Sequence, residues 1–250
     1  MVKIEYGLSL ASTENCEIPS LEGNPTLSHL ELPGRVFEKK IPRKKLKRVI
    51  NVVDIIPSSI AAGIVEQDGR IIHDFRLRLS DLINRMNSQG IFSFTMDNGI
   101  EAIPRDPDHA ERLTSFIKTI TPILYDKKTF MNMPVRIPET FKGAAEKYLN
   151  FKTGLMSPYT RFAVNIYPHD LKRDYSPEDL LRFFRFDIGT VRIVYEPEIG
   201  NRLVEKHVEP WTEYLVKNHF AGPLLFCPRV SDEESLAEEI AFLTEFLAGI

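Results

Sequence analysis

The chain has few of the features that mark several common protein classes. Its two cysteines, Cys16 and Cys227, lie far apart and outside any C-x-x-C spacing, so neither a disulfide framework nor a cysteine zinc site is indicated. No window approaches the roughly 18 consecutive apolar residues of a membrane-spanning helix. The N-terminus also lacks the basic start, apolar run and cleavage site of a signal peptide. We therefore expect a soluble, cytoplasmic protein that does not enter a membrane.

Strong charge of one sign is also missing. The 32 basic and 35 acidic residues give a formal net charge of -3, which provides no overall attraction to nucleic acid or to an anionic membrane. The motifs G-x-G-x-x-G, G-x-x-x-x-G-K-[ST], G-x-S-x-G and H-E-x-x-H are absent. These absences leave nucleotide-phosphate loops, serine hydrolases of that type and zincins unsupported.

What is present is a regular alternation of short apolar runs with longer helical stretches, which is typical of βα units around a parallel sheet. The predicted strands cover residues 2–10, 28–34, 48–57, 91–99, 129–138, 161–171, 190–200 and 223–230. The predicted helices cover residues 80–90, 106–128, 140–151, 176–186, 204–222 and 231–250. Eight strands in 250 residues predict an α/β protein with one domain over residues 1–250, a (β/α)8 TIM barrel whose first βα unit is irregular.

Local signals predict how three of these helices begin and pack. Ser80 is predicted to open the helix at 80–90, and Ser231 with Glu234 to form a capping box at the last helix. Trp211 and Tyr214 lie at helical spacing, so we expect them to pack on the barrel rather than to stack on a ligand.

Three stretches resemble a known family in order and spacing. They are "HLELP" at 29–33, "VINVVDIIPSS" at 49–59, and "DFRLRLSDLINRMNSQGIFSFTMDNG" at 74–99. With the overall layout they resemble the xylose-isomerase-like TIM barrels, which include sugar isomerases, sugar epimerases and relatives of endonuclease IV.

The resemblance implies a divalent metal held by Glu, Asp, His and Glu at the ends of strands five to eight. This chain has Asn132 and Asn165 in the first two places, Tyr195 near the third, and Cys227 or Arg229 in the fourth. Asn amides are weak ligands for Mg²⁺ or Mn²⁺ compared with carboxylates. A divalent metal stays open as a cofactor, but most of the expected ligands are missing.

Polar residues that follow predicted strands are the candidates for catalysis, because the C-terminal ends of barrel strands carry the active site. Glu196 and Glu198 flank Pro197, and residues two apart in an extended chain point the same way, so both could serve as acid or base. The alternative is a pair of solvated carboxylates bonded to Arg192 or Arg202. His169 could be the second acid or base, or an ordinary loop histidine.

A second set of residues could bind the substrate. Asn132 and Asn165 could hold hydroxyl groups, and Arg136 or Arg229 an anionic group, unless the arginines pair with Glu196 or Glu198. Asp97 at the end of strand four belongs to this set too, although "MDNG" is also a good turn sequence.

The basic run "KKIPRKKLKR" at 39–48 invites a nucleic-acid interpretation. It precedes a strand and so lies on the N-terminal side of the barrel, and it lacks interleaved aromatic residues for stacking on bases. A solvated surface is the favoured interpretation, with an anion or partner patch as the alternative.

These observations favour a sugar or sugar-phosphate isomerase or epimerase that moves protons by acid–base catalysis on a small polyhydroxylated substrate. One alternative is a catalytically inactive barrel that binds a small ligand or a protein partner. A weaker one is a phosphodiesterase like endonuclease IV. No nucleic-acid partner is expected, and the oligomeric state stays open.

Overall fold

A computed structural model describes residues 4–13, 17–38, 48–53, 69–96, 107–137, 150, 153–154, 157–168, 176–178 and 187–249. Within this part of the chain, eight parallel strands close into one barrel in sequence order. The strands are β1 Tyr6–Ser9, β2 Leu27–Pro33, β3 Val49–Val53, β4 Ser93–Thr95, β5 Phe130–Ile137, β6 Thr160–Ile166, β7 Ile188–Tyr195 and β8 Leu224–Pro228. The predicted TIM barrel is confirmed, and each strand lies within two residues of its predicted range or inside it.

Four long helices pack outside the described part of the barrel. They are α1 Gly69–Ser88, α2 Pro107–Lys127, α3 Pro197–Lys217 and α4 Glu233–Ala248, and a short 3-10 helix covers Gly34–Glu38 after β2. The described residues between β1 and β2 form turns and coil, as predicted for an irregular first βα unit. The helices predicted at 140–151 and 176–186 lie mostly outside the described residues.

Two predicted helix starts are wrong. Ser80 lies inside α1, whose buried stripe already begins at Phe75 and continues through Leu79 and Ile83. Ser80 therefore does not mark the start of the helix, because the apolar repeat begins five residues before it.

The second wrong start is that of α4. Its N-cap is Asp232, whose carboxylate accepts a hydrogen bond of 2.8 Å from the backbone N–H of Ser235, so the capping box from Ser231 to Glu234 is not formed. An Asp next to a Ser offers a second cap one residue later, and its charge also favours the helix N-terminus.

The outer side of the barrel is apolar. Helix α3 buries Trp211, Tyr214 and Leu215, as predicted. Helix α4 buries Leu236, Leu243 and Leu247. None of the described helices combines the length and the hydropathy needed to cross a bilayer.

The inner side of the barrel is polar. Barrel interiors are usually filled by layers of branched apolar side chains. Here the strands bury a set of polar and charged side chains that hydrogen-bond to one another across the barrel: Ser9, Glu31, Asn51, Thr95, Asn132, Asn165, Thr190 and Arg192. Any site at the C-terminal ends of the strands therefore lies directly above these polar side chains.

Candidate functional site

An ion pair between Glu31 of β2 and Arg192 of β7 crosses the barrel interior. Arg192 Nε donates to Glu31 Oε1 at 2.5 Å and Nη2 donates to Oε2 at 3.0 Å, a bidentate arrangement. The side chains are 1% and 0% exposed, so both charges are removed from water. The geometry matches the two parallel bonds by which a guanidinium best binds a carboxylate.

Four more polar groups complete the surroundings of this pair. Glu31 accepts hydrogen bonds from Ser9 Oγ at 2.5 Å and from Asn51 Nδ2 at 2.6 Å. Arg192 donates to Asn165 Oδ1 at 2.9 Å and to Thr95 Oγ1 at 3.0 Å. We call these six residues the central network: Ser9, Glu31, Asn51, Thr95, Asn165 and Arg192.

The central network keeps the barrel interior close to neutral. Removing two charges from water costs several kcal/mol per ion, and only good geometry with further hydrogen bonds offsets that cost. Glu31 and Arg192 satisfy both conditions. Neither charge is therefore available as a free acid, base or anion receptor in this arrangement.

Asn132 of β5 lies deeper, near the N-terminal end of the strands. Its Nδ2 is 2.9 Å from Ser93 Oγ, 3.2 Å from Asn51 Oδ1 and 3.3 Å from Thr190 Oγ1, and the side chain is fully buried. Among the described residues Asn132 Oδ1 has no hydrogen-bond partner, and it faces Gly189, where an added Cβ would lie 2.0 Å from it. Gly189 is thus the residue that makes room for this amide.

A second group lies at the C-terminal ends of β6, β7 and β8. Arg229 Nη1 is 3.5 Å from Glu196 Oε1, and the Arg229 guanidinium carbon is 5.5 Å from the centre of the Tyr167 ring. The side chains of Glu196 and Arg229 are 54% and 44% exposed. We call Tyr167, Glu196 and Arg229 the mouth cluster. It presents a carboxylate and a guanidinium to solvent at the end of the barrel where TIM-barrel chemistry takes place.

The predicted pairing of Glu196 with Glu198 rests on geometry that the structure does not have. Glu196 is the N-cap of α3, with extended backbone, and Glu198 already belongs to the first turn of that helix. Pro197 occupies the first helical position, where its fixed φ favours a helix. Alternation in an extended chain therefore cannot align the two carboxylates. Arg192, one of the alternative partners for the two carboxylates, binds Glu31 instead.

Tyr195, near the strand-seven ligand position of the resembled family, does not belong to the site. Its hydroxyl donates to Glu239 Oε1 of α4 at 2.5 Å, so the side chain lies on the outer side of β7. Burial and the neighbouring Glu239 carboxylate raise the pKa of Tyr195 well above its ordinary value. Arg192, three positions earlier, is the charged β7 residue that reaches the interior in the described part of the barrel.

The buried Glu239 predicts a pH dependence of stability. Burial raises the pKa of its carboxyl above 4.5, and the Tyr195 hydrogen bond opposes part of that rise. From pH 4.5 up to the raised pKa the folded state binds more protons than the unfolded state, so the free energy of unfolding falls as pH rises. Glu239→Gln should remove this fall in urea unfolding curves measured over a pH series. Glu238→Gln, at an exposed neighbour, should keep it, and an unchanged slope in Glu239→Gln would contradict the assignment.

Cys227 of β8 is, with Arg229, one of the two residues that the resemblance puts at the strand-eight ligand place. Its thiol is 1% exposed, and its Sγ lies 3.4 Å from Ser12 Oγ. Burial raises the pKa of this thiol, an effect that outweighs the opposing bonds to Ser12 and Ser9 and the charge of Arg192. A protonated, buried thiol is neither a good nucleophile nor a good metal ligand.

We expect the folded protein to protect Cys227 from alkylation. Iodoacetamide at mildly alkaline pH should modify the peptide that contains Cys227 at least about tenfold more slowly in native protein than in guanidinium chloride, because only the thiolate reacts. Peptide mapping by mass spectrometry measures both rates. Equal rates in the two conditions would show that the thiol is accessible and ionised.

The residues present do not fit the divalent metal that the resemblance implies. The described part of the chain holds no group of three or more His, Cys, Asp and Glu side chains arranged to bind a metal ion. Asn132 and Asn165 offer neutral amides, Cys227 a protonated thiol, and Arg192 is a cation among them. At about 4 Å from that guanidinium a divalent ion would meet a repulsion of about 8 kcal/mol at an effective dielectric constant of about 20.

Several predicted site residues cannot be placed together with these. Asp97 and His169 lie outside the described residues, as do residues 39–47 of the basic run. Arg136 and Glu198 are described only through their backbone. The structure brings Glu196 and Arg229 together, with Asn165 in the central network beneath, and puts Asn132 at a deeper level. The substrate and catalytic roles of all these residues remain predictions.

Sequence reasoning missed the two charged residues of the central network. A signal was available, because Glu31 in "LELP" and Arg192 in "VRIV" each interrupt an apolar run within a predicted buried strand. Charged residues are almost never fully buried unless they are paired, so two such positions of opposite charge indicate each other as partners.

The chain was compared with protein families, curated proteins and solved structures. No family model matches the chain. No curated protein matches it by sequence. Among solved structures, a D-psicose 3-epimerase crystallised in the presence of D-fructose matches with a TM-score of 0.66 and 10% identity, covering 98% of this chain and 97% of that one. An AP endonuclease, family 2, from Brucella melitensis matches with a TM-score of 0.65 and 14% identity, covering 98% of both chains.

A 3-keto-D-glucoside 4-epimerase from E. coli, in its apo form, matches with a TM-score of 0.62 and 10% identity, over 98% of this chain and 100% of that one. At such identities the structures share the fold with this chain. The resemblance to xylose-isomerase-like barrels is therefore confirmed at the level of the fold.

Proposed function

We propose that the C-terminal mouth of this barrel binds a small polyhydroxylated molecule and isomerises or epimerises it by acid–base proton transfer. The observation that carries the proposal is the mouth cluster, in which a carboxylate and a guanidinium lie 3.5 Å apart with both side chains about half exposed. The names of two solved structures with this fold, a D-psicose 3-epimerase and a 3-keto-D-glucoside 4-epimerase, support sugars as the substrate class.

The chemistry assigns one task to Glu196 and one to Arg229. Glu196 takes the proton from the carbon next to the substrate carbonyl, and the electron pair of the broken C–H bond forms an enediolate. Arg229 binds the enediolate oxygen or a phosphate group, since a guanidinium matches either by charge and shape. Transfer of the enediolate hydroxyl proton to the former carbonyl oxygen, with return of the abstracted proton to the former carbonyl carbon, gives the isomer. Delivery of a proton by a second acid to the opposite face of the original carbon, while Glu196 releases the abstracted proton to solvent, gives the epimer.

A second proton donor is needed for either outcome. His169, which follows β6 in sequence, is the residue we propose for it, with Glu198 as the other candidate. Asn165 supplies amide hydrogen bonds to substrate hydroxyls from below. Asp97, Arg136 and Asn132 stay in the proposal as residues that shape or bind the substrate.

Exchange of the substrate C–H proton with solvent tests the proposal directly. The protein is incubated in D₂O with a panel of free and phosphorylated ketoses and aldoses, and loss of the proton next to the carbonyl is followed by NMR. We expect exchange with at least one sugar, and Glu196→Gln should slow it at least about tenfold, since positioned general bases commonly contribute more than that.

A matched control is available on the same molecule. Glu178 is 59% exposed and pairs with Lys217, well away in sequence from the mouth cluster, so Glu178→Gln should leave exchange unchanged. Equal exchange by wild type and Glu196→Gln would remove Glu196 from the mechanism. Exchange with none of the sugars would contradict the enzymatic proposal.

A catalytically inactive barrel that binds a ligand is the second candidate, and one observation favours it. Glu31 and Arg192 form hydrogen bonds with each other, so this pair offers no free charge for catalysis. Sugar binding without proton exchange, detected by calorimetry, would support this candidate. A phosphodiesterase is weaker, because that chemistry relies on clustered metal ions whose ligands the described residues do not supply.

A further inference from the structure

We propose that the guanidinium of Arg192 occupies the position at the barrel centre that a divalent metal ion would occupy. We further propose that the site works without a metal ion. This inference rests on the proposed function for the identity of the site. Its own test, described below, uses metal binding and needs no substrate.

Position is the first argument. Asn165, at the strand-six ligand place, is paired in register with Arg192, and its Oδ1 accepts from Arg192 Nη1 at 2.9 Å. A metal ion bound by that oxygen would lie about 2.0–2.6 Å from it, depending on the ion. The guanidinium nitrogen already occupies the space in front of this atom, so metal and Arg192 are mutually exclusive there.

Charge is the second argument. Glu31 is the fully buried carboxylate of the central network, and it accepts two bonds from Arg192 and one each from Ser9 and Asn51. Since an arginine in a protein does not lose its proton, the guanidinium is a permanent counter-charge to this carboxylate. A metal ion would have to break the pair and would leave the guanidinium buried without its counter-ion.

Orientation of Asn165 is the third argument, and it links the cation to the mouth. Because Arg192 donates to Oδ1, the Asn165 Nδ2 group is fixed as the donor side of the amide. Asn165 is the last but one residue of β6 and lies two positions before Tyr167, so the oriented amide is at the end of the strand that leads to the mouth cluster. Arg192 thereby acts as a positioning residue for the Asn165 amide, which donates to an uncharged hydroxyl of the proposed substrate.

Titration with Mn²⁺ alone, followed by electron paramagnetic resonance, tests the inference. We expect the wild-type protein to leave equimolar Mn²⁺ free in solution. Arg192→His combined with Asn165→Asp should bind about one equivalent, because Glu31 is then released and two carboxylates with an imidazole form a suitable ligand set. Circular dichroism verifies that each variant is folded.

The single variant Asn165→Asp is the matched control. It adds the carboxylate but keeps the guanidinium, so it should bind no more Mn²⁺ than wild type does. Stoichiometric binding by wild type that Glu31→Gln abolishes would overturn the inference, as would equal binding by Asn165→Asp and by the double variant. If the double variant does not fold, the wild-type and Asn165→Asp titrations still decide the question.

The two proposals can fail separately. Wild-type protein that binds Mn²⁺ at Glu31 and also exchanges substrate protons would end the inference and leave the proposed function standing. If the wild-type protein binds no Mn²⁺ and exchanges no sugar protons, the proposed function is contradicted. The inference that Arg192 occupies the metal position then still stands.

Discussion

Replacing Arg192 with methionine should lower the free energy of unfolding by about 3–5 kcal/mol, the range expected when one partner of a buried ion pair is removed. The cost comes from Glu31, which stays 0% exposed and loses both of its guanidinium bonds. Urea unfolding at neutral pH, followed by circular dichroism, measures the change. Methionine keeps much of the arginine stem, so packing around the side chain changes little.

Two comparisons separate the buried pair from other effects. Glu31→Gln combined with Arg192→Met leaves no unpaired charge, so the double variant should be more stable than the sum of the single variants predicts. Lys217→Met removes an exposed ion pair with Glu178 and should cost less than about 1 kcal/mol. Additive single variants, or similar losses in Arg192→Met and Lys217→Met, would contradict a coupled buried pair.

Gly189→Ala should also destabilise the fold, by about 1–3 kcal/mol as for other overpacked interiors. The added Cβ would lie 2.0 Å from Asn132 Oδ1 and 3.2 Å from Arg161 Cβ, distances at which the neighbouring groups must shift. Asn132 has little freedom to shift, because its amide nitrogen faces Ser93, Asn51 and Thr190. Thermal and urea unfolding measure the loss.

Gly154→Ala provides the matched control, since a Cβ at that glycine meets nothing within 4 Å. It should be neutral or slightly stabilising, as alanine is favoured over glycine in a helix. Shortening Asn132 to serine should relieve part of the Gly189→Ala loss, because the clashing oxygen is withdrawn. A Gly189→Ala variant as stable as wild type would show that the interior is packed less tightly than described.

The barrel itself could be predicted because its strands are short apolar runs separated by helical stretches, a pattern that depends on local sequence alone. β5, β6 and β7 follow it closely. The helix starts at α1 and α4 were harder to predict, because Ser80 and Ser231 are both of a residue type that favours an N-cap. Packing of Phe75 and Leu79 decided the first, and the carboxylate of Asp232 decided the second.

The site was less predictable for a different physical reason. Polar residues after a strand are visible in sequence, and Glu196 and Arg229 were found that way. Glu31 and Arg192 lie in different strands and become partners only when the barrel closes and the two side chains meet in its interior. A single sequence shows that each is an unusual charge in an apolar run, but the closure of the barrel decides which charge neutralises which.

The closure of the barrel also decides which side chains of the seventh strand face its interior. Tyr195, near the ligand place of the resembled family, turns outward to Glu239, and Arg192 turns inward to Asn165. A register error of odd length reverses the face of every residue in a strand. Sequence alone does not fix that register when both faces are buried.

In the proposed arrangement a guanidinium and a carboxylate, rather than a metal ion, form the centre of this barrel. A crystal structure of the full chain soaked in Mn²⁺, with anomalous scattering recorded for manganese, tests it most directly. We predict continuous density for Arg192 between Glu31 and Asn165 and no anomalous peak within the barrel. An anomalous peak at metal–oxygen distance from the Glu31 carboxylate, about 2.0–2.6 Å, with Arg192 displaced, would contradict the claim.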